Sequence, residues 1–85
     1  MMIMNNLLVE IYVPSIGCTF DIFIPKDAKI FELLPLISTA VTRLSDEMFM
    51  PNDVVLCNGK VGMICSRNSS VGDMKLKNGS RLMLI

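Results

Sequence analysis

The side chains that could do covalent or acid–base chemistry in this 85-residue chain are few and scattered. Cys18, Cys57 and Cys65 are its thiols, and no histidine exists to serve them as a base. A thiol reacts as the thiolate, which needs a neighbouring base or cation to form near neutral pH, so cysteine catalysis is not expected. Nor is a metal centre: Cys57 and Cys65 stand eight apart, with no Cys-x-x-Cys pair and no imidazole to complete a tetrahedral set. An odd number of cysteines also argues against a disulfide scaffold and for free thiols. Asp46, Glu47 and Asp53 gather in one connection, but general acid–base work needs two carboxylates converging on a pocket. Gly59, Gly62 and Gly72 lack the Gly-Lys-Ser/Thr step into a helix that cradles phosphate. Asn68-Ser69-Ser70 and Asn78-Gly79-Ser80 fit the glycosylation pattern, which has no meaning without a secretory route. The expectation is a chain that is not an enzyme and holds no metal or cofactor.

The elements around these residues must therefore carry the function. At 9.5 kDa the chain fills one core, so residues 1–85 are read as a single domain, with residues 1–6 as a loose N-terminal extension. Eight Lys and Arg balance eight Asp and Glu, whereas a protein that lives on phosphate contacts shows a basic excess; nucleic acid is not an expected ligand. A hydrophobic content of 52% and a mean hydropathy of +0.54 exclude disorder and leave more apolar surface than so small a domain can hide. No run approaches the roughly 20 apolar residues that span a bilayer, so direct membrane insertion is not expected. Met1–Val13 has neither a basic start nor a small-residue cleavage site, and a cytoplasmic location follows by default.

Leu7 to Val13, rich in β-branched and aromatic residues, reads as a strand that ends at the turn Pro14-Ser15-Ile16-Gly17. Thr19 to Ile24 is its return, stopped by Pro25. Asp27 offers an N-cap, and Ile30, Leu33, Leu34, Ile37, Val41 and Leu44 form the stripe of one amphipathic helix from about Lys29 to Leu44. Pro35 either distorts its beginning or delays it, since an interior proline deletes a hydrogen bond; shared periodicity favours the distorted start. Phe49 in the following connection is expected to tuck under the sheet. Val54–Cys57 and Val61–Ile64 flank Asn58-Gly59 as a second hairpin, and Asn78-Gly79 leads into a last strand, Leu82–Ile85. The fold class is α+β, ordered ββαβββ, a mixed sheet of four to five strands covered by one helix, with the last strand central beside the first. That layout is the β-grasp.

Here the residues resemble a known family. Val54-Val55-Leu56-Cys57-Asn58-Gly59-Lys60, the polar loop with Met74, and Asn78-Gly79-Ser80-Arg81-Leu82-Met83-Leu84 are similar to the strand, turn, loop and final strand of ubiquitin-like proteins. Phe20-Asp21-x-Phe23-Ile24-Pro25, a four-residue spacer, then Ile30-x-x-Leu33-Leu34 and Leu36-Ile37, resembles the small YukD-like proteins of type VII secretion systems. The resemblance implies an accessory or regulatory bacterial adaptor of a WXG100/ESX-like secretion machine, with a membrane-associated secretion ATPase component as partner. Ubiquitin and the sulfur carriers need a Gly-Gly tail, and this sequence ends on Leu84-Ile85, so conjugation is not expected.

Strand alternation divides the side chains between two faces. Val9, Ile11, Val13, Phe20, Ile22, Ile24, Val55, Cys57, Leu82 and Leu84 are assigned to the helix side. The open side receives Leu8, Glu10, Tyr12, Asp21, Phe23, Val54, Leu56, Arg81, Met83 and Ile85, and its apolar members break the rule that a wet sheet face is polar. Leu8, Tyr12, Phe23, Val54, Leu56, Met83 and Ile85 are therefore the expected protein-interaction face. The resemblance places Leu56 and Met83 at its centre and Ile85 at its edge. Charge is uneven as well: residues 1–59 hold three basic and seven acidic side chains, residues 60–85 five and one. Lys60, Arg67, Lys75, Lys77 and Arg81 form a basic rim able to steer an acidic partner. The competing reading is a self-associating β-grasp domain whose apolar face is buried in a homodimer.

Overall fold

The computed structural model describes residues 6–50, 54–59 and 62–85. Strand β1 (Asn6–Val13) alternates strictly, with Leu7, Val9, Ile11 and Val13 buried and the residues between them facing outward. Asn6, expected in an N-terminal extension, is its first residue and pairs with Pro25 of β2 (Cys18–Pro25). The turn between them closes through the Ile16 N–H on the Val13 carbonyl at 3.2 Å, and Gly17 takes the left-handed φ of 64° that favours glycine.

Helix α1 runs over Ile30–Leu44 and does not start late at Pro35. Its cap is Lys29 and not Asp27: the Glu32 carboxylate accepts from the Lys29 N–H at 3.1 Å, the reciprocal half of a capping box. The next free donors are met by a distant loop, since the Ile30 N–H donates to the Ser69 carbonyl at 2.8 Å and the Phe31 N–H to the Arg67 carbonyl at 3.0 Å. The chain leaves the helix through left-handed Asp46 and Glu47, and Ser45 Oγ accepts from the Phe49 N–H at 3.1 Å, which delivers Phe49 to the core as expected.

The remaining strands are short: β3 (Leu56–Asn58), β4 (Met63–Ile64) and β5 (Arg81–Leu84). The sheet order is β2-β1-β5-β3-β4, with β5 parallel to β1 and every other neighbour antiparallel. The last strand thus lies beside the first in the middle, as expected for a β-grasp. Asn58-Gly59 turns the chain, but not as a two-residue loop: Asn58 pairs with Met63, and the Gly62 N–H returns to the Asn58 carbonyl at 2.7 Å. Val61, expected in the return strand, lies outside the described residues. Sheet and helix enclose one core built on Val9, Ile11, Val13, Ile30, Leu33, Ile37, Val41, Leu82 and Leu84. Leu44, expected to complete the helix's inner stripe, is exposed. Among the described residues no helix is long and apolar enough to cross a membrane.

Candidate protein-interaction face

Register decides which residues reach the open face, because directly paired residues project to the same side. Leu56 stands opposite Leu84, and Leu84 is in the core, so Leu56 is in the core too, 1% exposed. This corrects the expectation that Leu56 forms the centre of the face. Its strand begins later than the apolar run suggests, and Val54 lies ahead of it, half-buried against the core and off the open face. Cys57, assigned to the core, instead pairs with Met83 on the other side, where it is nonetheless buried. Val55 likewise exchanges backbone hydrogen bonds with Ile85, 2.8 and 2.9 Å, on that side.

The corrected face is read from the ladder. One row crosses the whole sheet: Thr19, Tyr12, Met83, Cys57 and Ile64. A second holds Asp21, Glu10 and Arg81, and a third Phe23 beside Leu8. Leu8, Tyr12, Phe23, Ile64 and Ile85 are exposed, and Met83 is half-buried between them. Five of the seven expected face residues therefore share this surface, while Leu56 and Val54 do not. Ile64, 67% exposed, is the member that sequence reading missed. Nothing in the sequence marked it, because Ile64 reaches this face only through Cys57, whose side is set by the pairing of β3 with β5.

Polar groups organise the same surface. Arg81 Nε lies 2.9 Å from Glu10 Oε2 across paired strands, an exposed contact of small stabilising value, on the order of 0–1 kcal/mol. Asn78 Oδ1 accepts from the Leu8 N–H at 2.8 Å, and the Gly79 N–H donates to the Leu8 carbonyl at 2.8 Å, so the turn before β5 is stitched to β1. A depression of about 490 Å³ lies over Tyr12, Thr19, Glu10, Arg81 and Met83. A second, of about 480 Å³, is lined by Lys75, Lys77 and Arg81, and it meets the first at Gly59 and Arg81. Three of the expected rim residues are thus together. Arg67 is exposed near the helix start and does not line that depression, and Lys60 lies outside the described residues.

The surface offers contact and charge without a reactive constellation. Among the described residues no three Cys, Asp or Glu side chains gather as metal ligands. Cys65 is buried in the core, and burial first, then the neighbouring Cys57, pushes its thiol above the ordinary range, which disfavours the nucleophilic thiolate.

No known family model matches this chain, and no curated protein sequence does. Solved structures do. The ubiquitin-like domain of the Mycobacterium tuberculosis type VII secretion protein EccD1 superposes with a TM-score of 0.77 at 13% identity, over 96% of this chain and 99% of that one. The EccD5 ubiquitin-like domain from Mycobacterium xenopi gives 0.67 at 20% identity, over 94% and 92%. A chain of the MycP5-free ESX-5 inner membrane complex gives 0.71 at 15% identity, covering 95% of this chain but 21% of that larger one. At these identities the likeness establishes the fold, a ubiquitin-like β-grasp.

Proposed function

We propose that this ubiquitin-like β-grasp domain is a non-catalytic interaction module that binds a protein partner through the open face of its sheet. The observation that carries the reading is the row Tyr12–Met83–Cys57–Ile64, an apolar band laid across four strands on the side away from the helix. A one-sided sheet needs no apolar residues there in order to fold, and such a band gains by being covered. Leu8, Phe23 and Ile85 extend it.

The cellular setting we assign is an accessory or regulatory role in a type VII secretion system, on the cytoplasmic side, with a membrane-associated secretion ATPase component as partner. The YukD-like pattern of Phe20-Asp21-x-Phe23-Ile24-Pro25 and Ile30-x-x-Leu33-Leu34 supports it, as does the likeness to ubiquitin-like domains of EccD proteins. The test is affinity purification of tagged protein from its native cells in mild detergent, beside a Tyr12→Asp/Ile64→Asp variant. Both positions are exposed, so circular dichroism should report an unchanged fold. Recovery of a secretion component by the parent and not by the variant supports the reading. Recovery of the protein alone, with a doubled mass in light scattering that halves in the variant, replaces it with a self-associating domain.

A further inference from the structure

The depression beside Gly59 has an electrostatic asymmetry that the apolar band does not need. It is lined by Lys75, Lys77 and Arg81. Arg81 is committed to Glu10, and this is the one ion pair among the described residues. The nearest acid in sequence, Asp73, does not line the depression and is engaged locally: its carboxylate accepts from the Ser70 N–H at 3.1 Å while Ser70 Oγ accepts from the Asp73 N–H at 3.0 Å. Among the described residues, neither Lys75 nor Lys77 has a carboxylate within ion-pair distance. Lys75 also holds a left-handed backbone, φ 55°, where glycine fits without steric cost. The short turn 71–75 sets it there, anchored by buried Val71 and closed by the Lys75 N–H on the Gly72 carbonyl at 3.0 Å.

We propose that this cleft receives the carboxylates of an acidic segment on the protein partner, paired with Lys75 and Lys77, while the same partner covers Tyr12, Met83 and Ile64. The inference rests on the open-face reading and gives the partner its chemistry: an apolar patch continued by acidic side chains. The two depressions meet at Gly59 and Arg81, so one partner spans both without a gap. At that junction the backbones of Gly59 and Arg81 approach closely: a Cβ on Gly59 would stand 3.2 Å from the Arg81 carbonyl oxygen, tighter than ordinary contact. A polyanion such as nucleic acid is disfavoured, since Glu10 and Asp21 share the row with Arg81 and would repel a charge continuing across the sheet.

The probe is the acetylated, amidated peptide Ala-Glu-Leu-Glu-Asp-Glu, titrated into 15N-labelled protein beside its Gln/Asn analogue. The expected result is movement of the Gly59, Lys75, Lys77 and Ser80 amides by the acidic peptide alone, with affinity falling about tenfold or more between about 50 and about 300 mM salt. A Lys75→Gly/Lys77→Gln variant should lose that response and stay folded, since glycine relaxes the backbone at position 75. No movement, equal movement with the neutral analogue, or tighter binding of heparin or anionic phosphatidylglycerol vesicles at the same lysines would each overturn the inference. The two readings fail separately. A lysine variant that still recovers the parent's cellular partner removes this inference alone, whereas a Tyr12→Asp/Ile64→Asp variant that still recovers it removes the open-face reading beneath.

Discussion

Leu56 and Ile64 show how far apart two similar side chains can be in consequence. Both are branched aliphatics on adjacent antiparallel strands, yet one is sealed in the core and the other stands in solvent. Truncating Leu56 to Ala should cost about 2–5 kcal/mol, the removed contacts plus the cavity left behind. Ile64→Ala should stay within about 0.5 kcal/mol and instead weaken partner binding. Urea unfolding measures the first pair of values, and equal losses at both positions would contradict the register. Cys65 supplies a pH signature. Its thiol pKa is raised in the fold above the ordinary 9.0, so folding favours the neutral form. That contribution is fully present below the ordinary value and is lost as pH rises through the folded value. Stability should therefore fall on the alkaline side, and Cys65→Ala should flatten that limb in thermal scans from neutral pH upward.

At the scale of elements, Pro35 is the departure from local rules. It lies inside α1, so the Phe31 carbonyl has no amide partner at the usual position, although the ring itself is exposed and displaces no core residue. Pro35→Ala should raise stability by about 1–3 kcal/mol, read as a higher urea midpoint with unchanged slope. The helix survives the proline because its buried stripe, Ile30, Leu33, Leu34, Ile37 and Val41, is continuous across that position, and because the loop at 67–69 supplies carbonyls to its first turn. The stripe was legible from its helical period, the first hairpin from its β-branched runs and turn residues, and the central place of the last strand from the unbroken apolar run Leu82–Ile85. The parity of β3 was not. Val54-Val55-Leu56-Cys57 is apolar throughout, so neither face is marked, and a slip by one residue exchanges inside for outside. Only pairing with β5, through Leu84, resolves it. The cap was misread for a related reason: Asp27 is the better N-cap residue type, but bonds to a loop some 40 residues away, at Arg67 and Ser69, settle where the helix begins.

For the whole molecule, the two faces of the sheet divide the tasks. One side and the helix hold the core, and the other presents an apolar band with a cationic cleft beside it. A chain with formal net charge of zero can still present such a local field, because its acids concentrate in residues 1–59 and its bases in residues 60–85. The outer helix side also exposes apolar residues, Phe31, Leu36 and Leu44, which makes it the natural control surface. A partner bound through the open face sits on the sheet and not on the helix. The most direct test of this is to place the photo-crosslinking residue benzoylphenylalanine at Tyr12 or at Phe31, similarly exposed aromatic positions on opposite sides, and irradiate native cells. Adducts from position 12 with a secretion component, absent from position 31, are the predicted result. Adducts from position 31 alone would place the partner on the helix and contradict binding through the sheet.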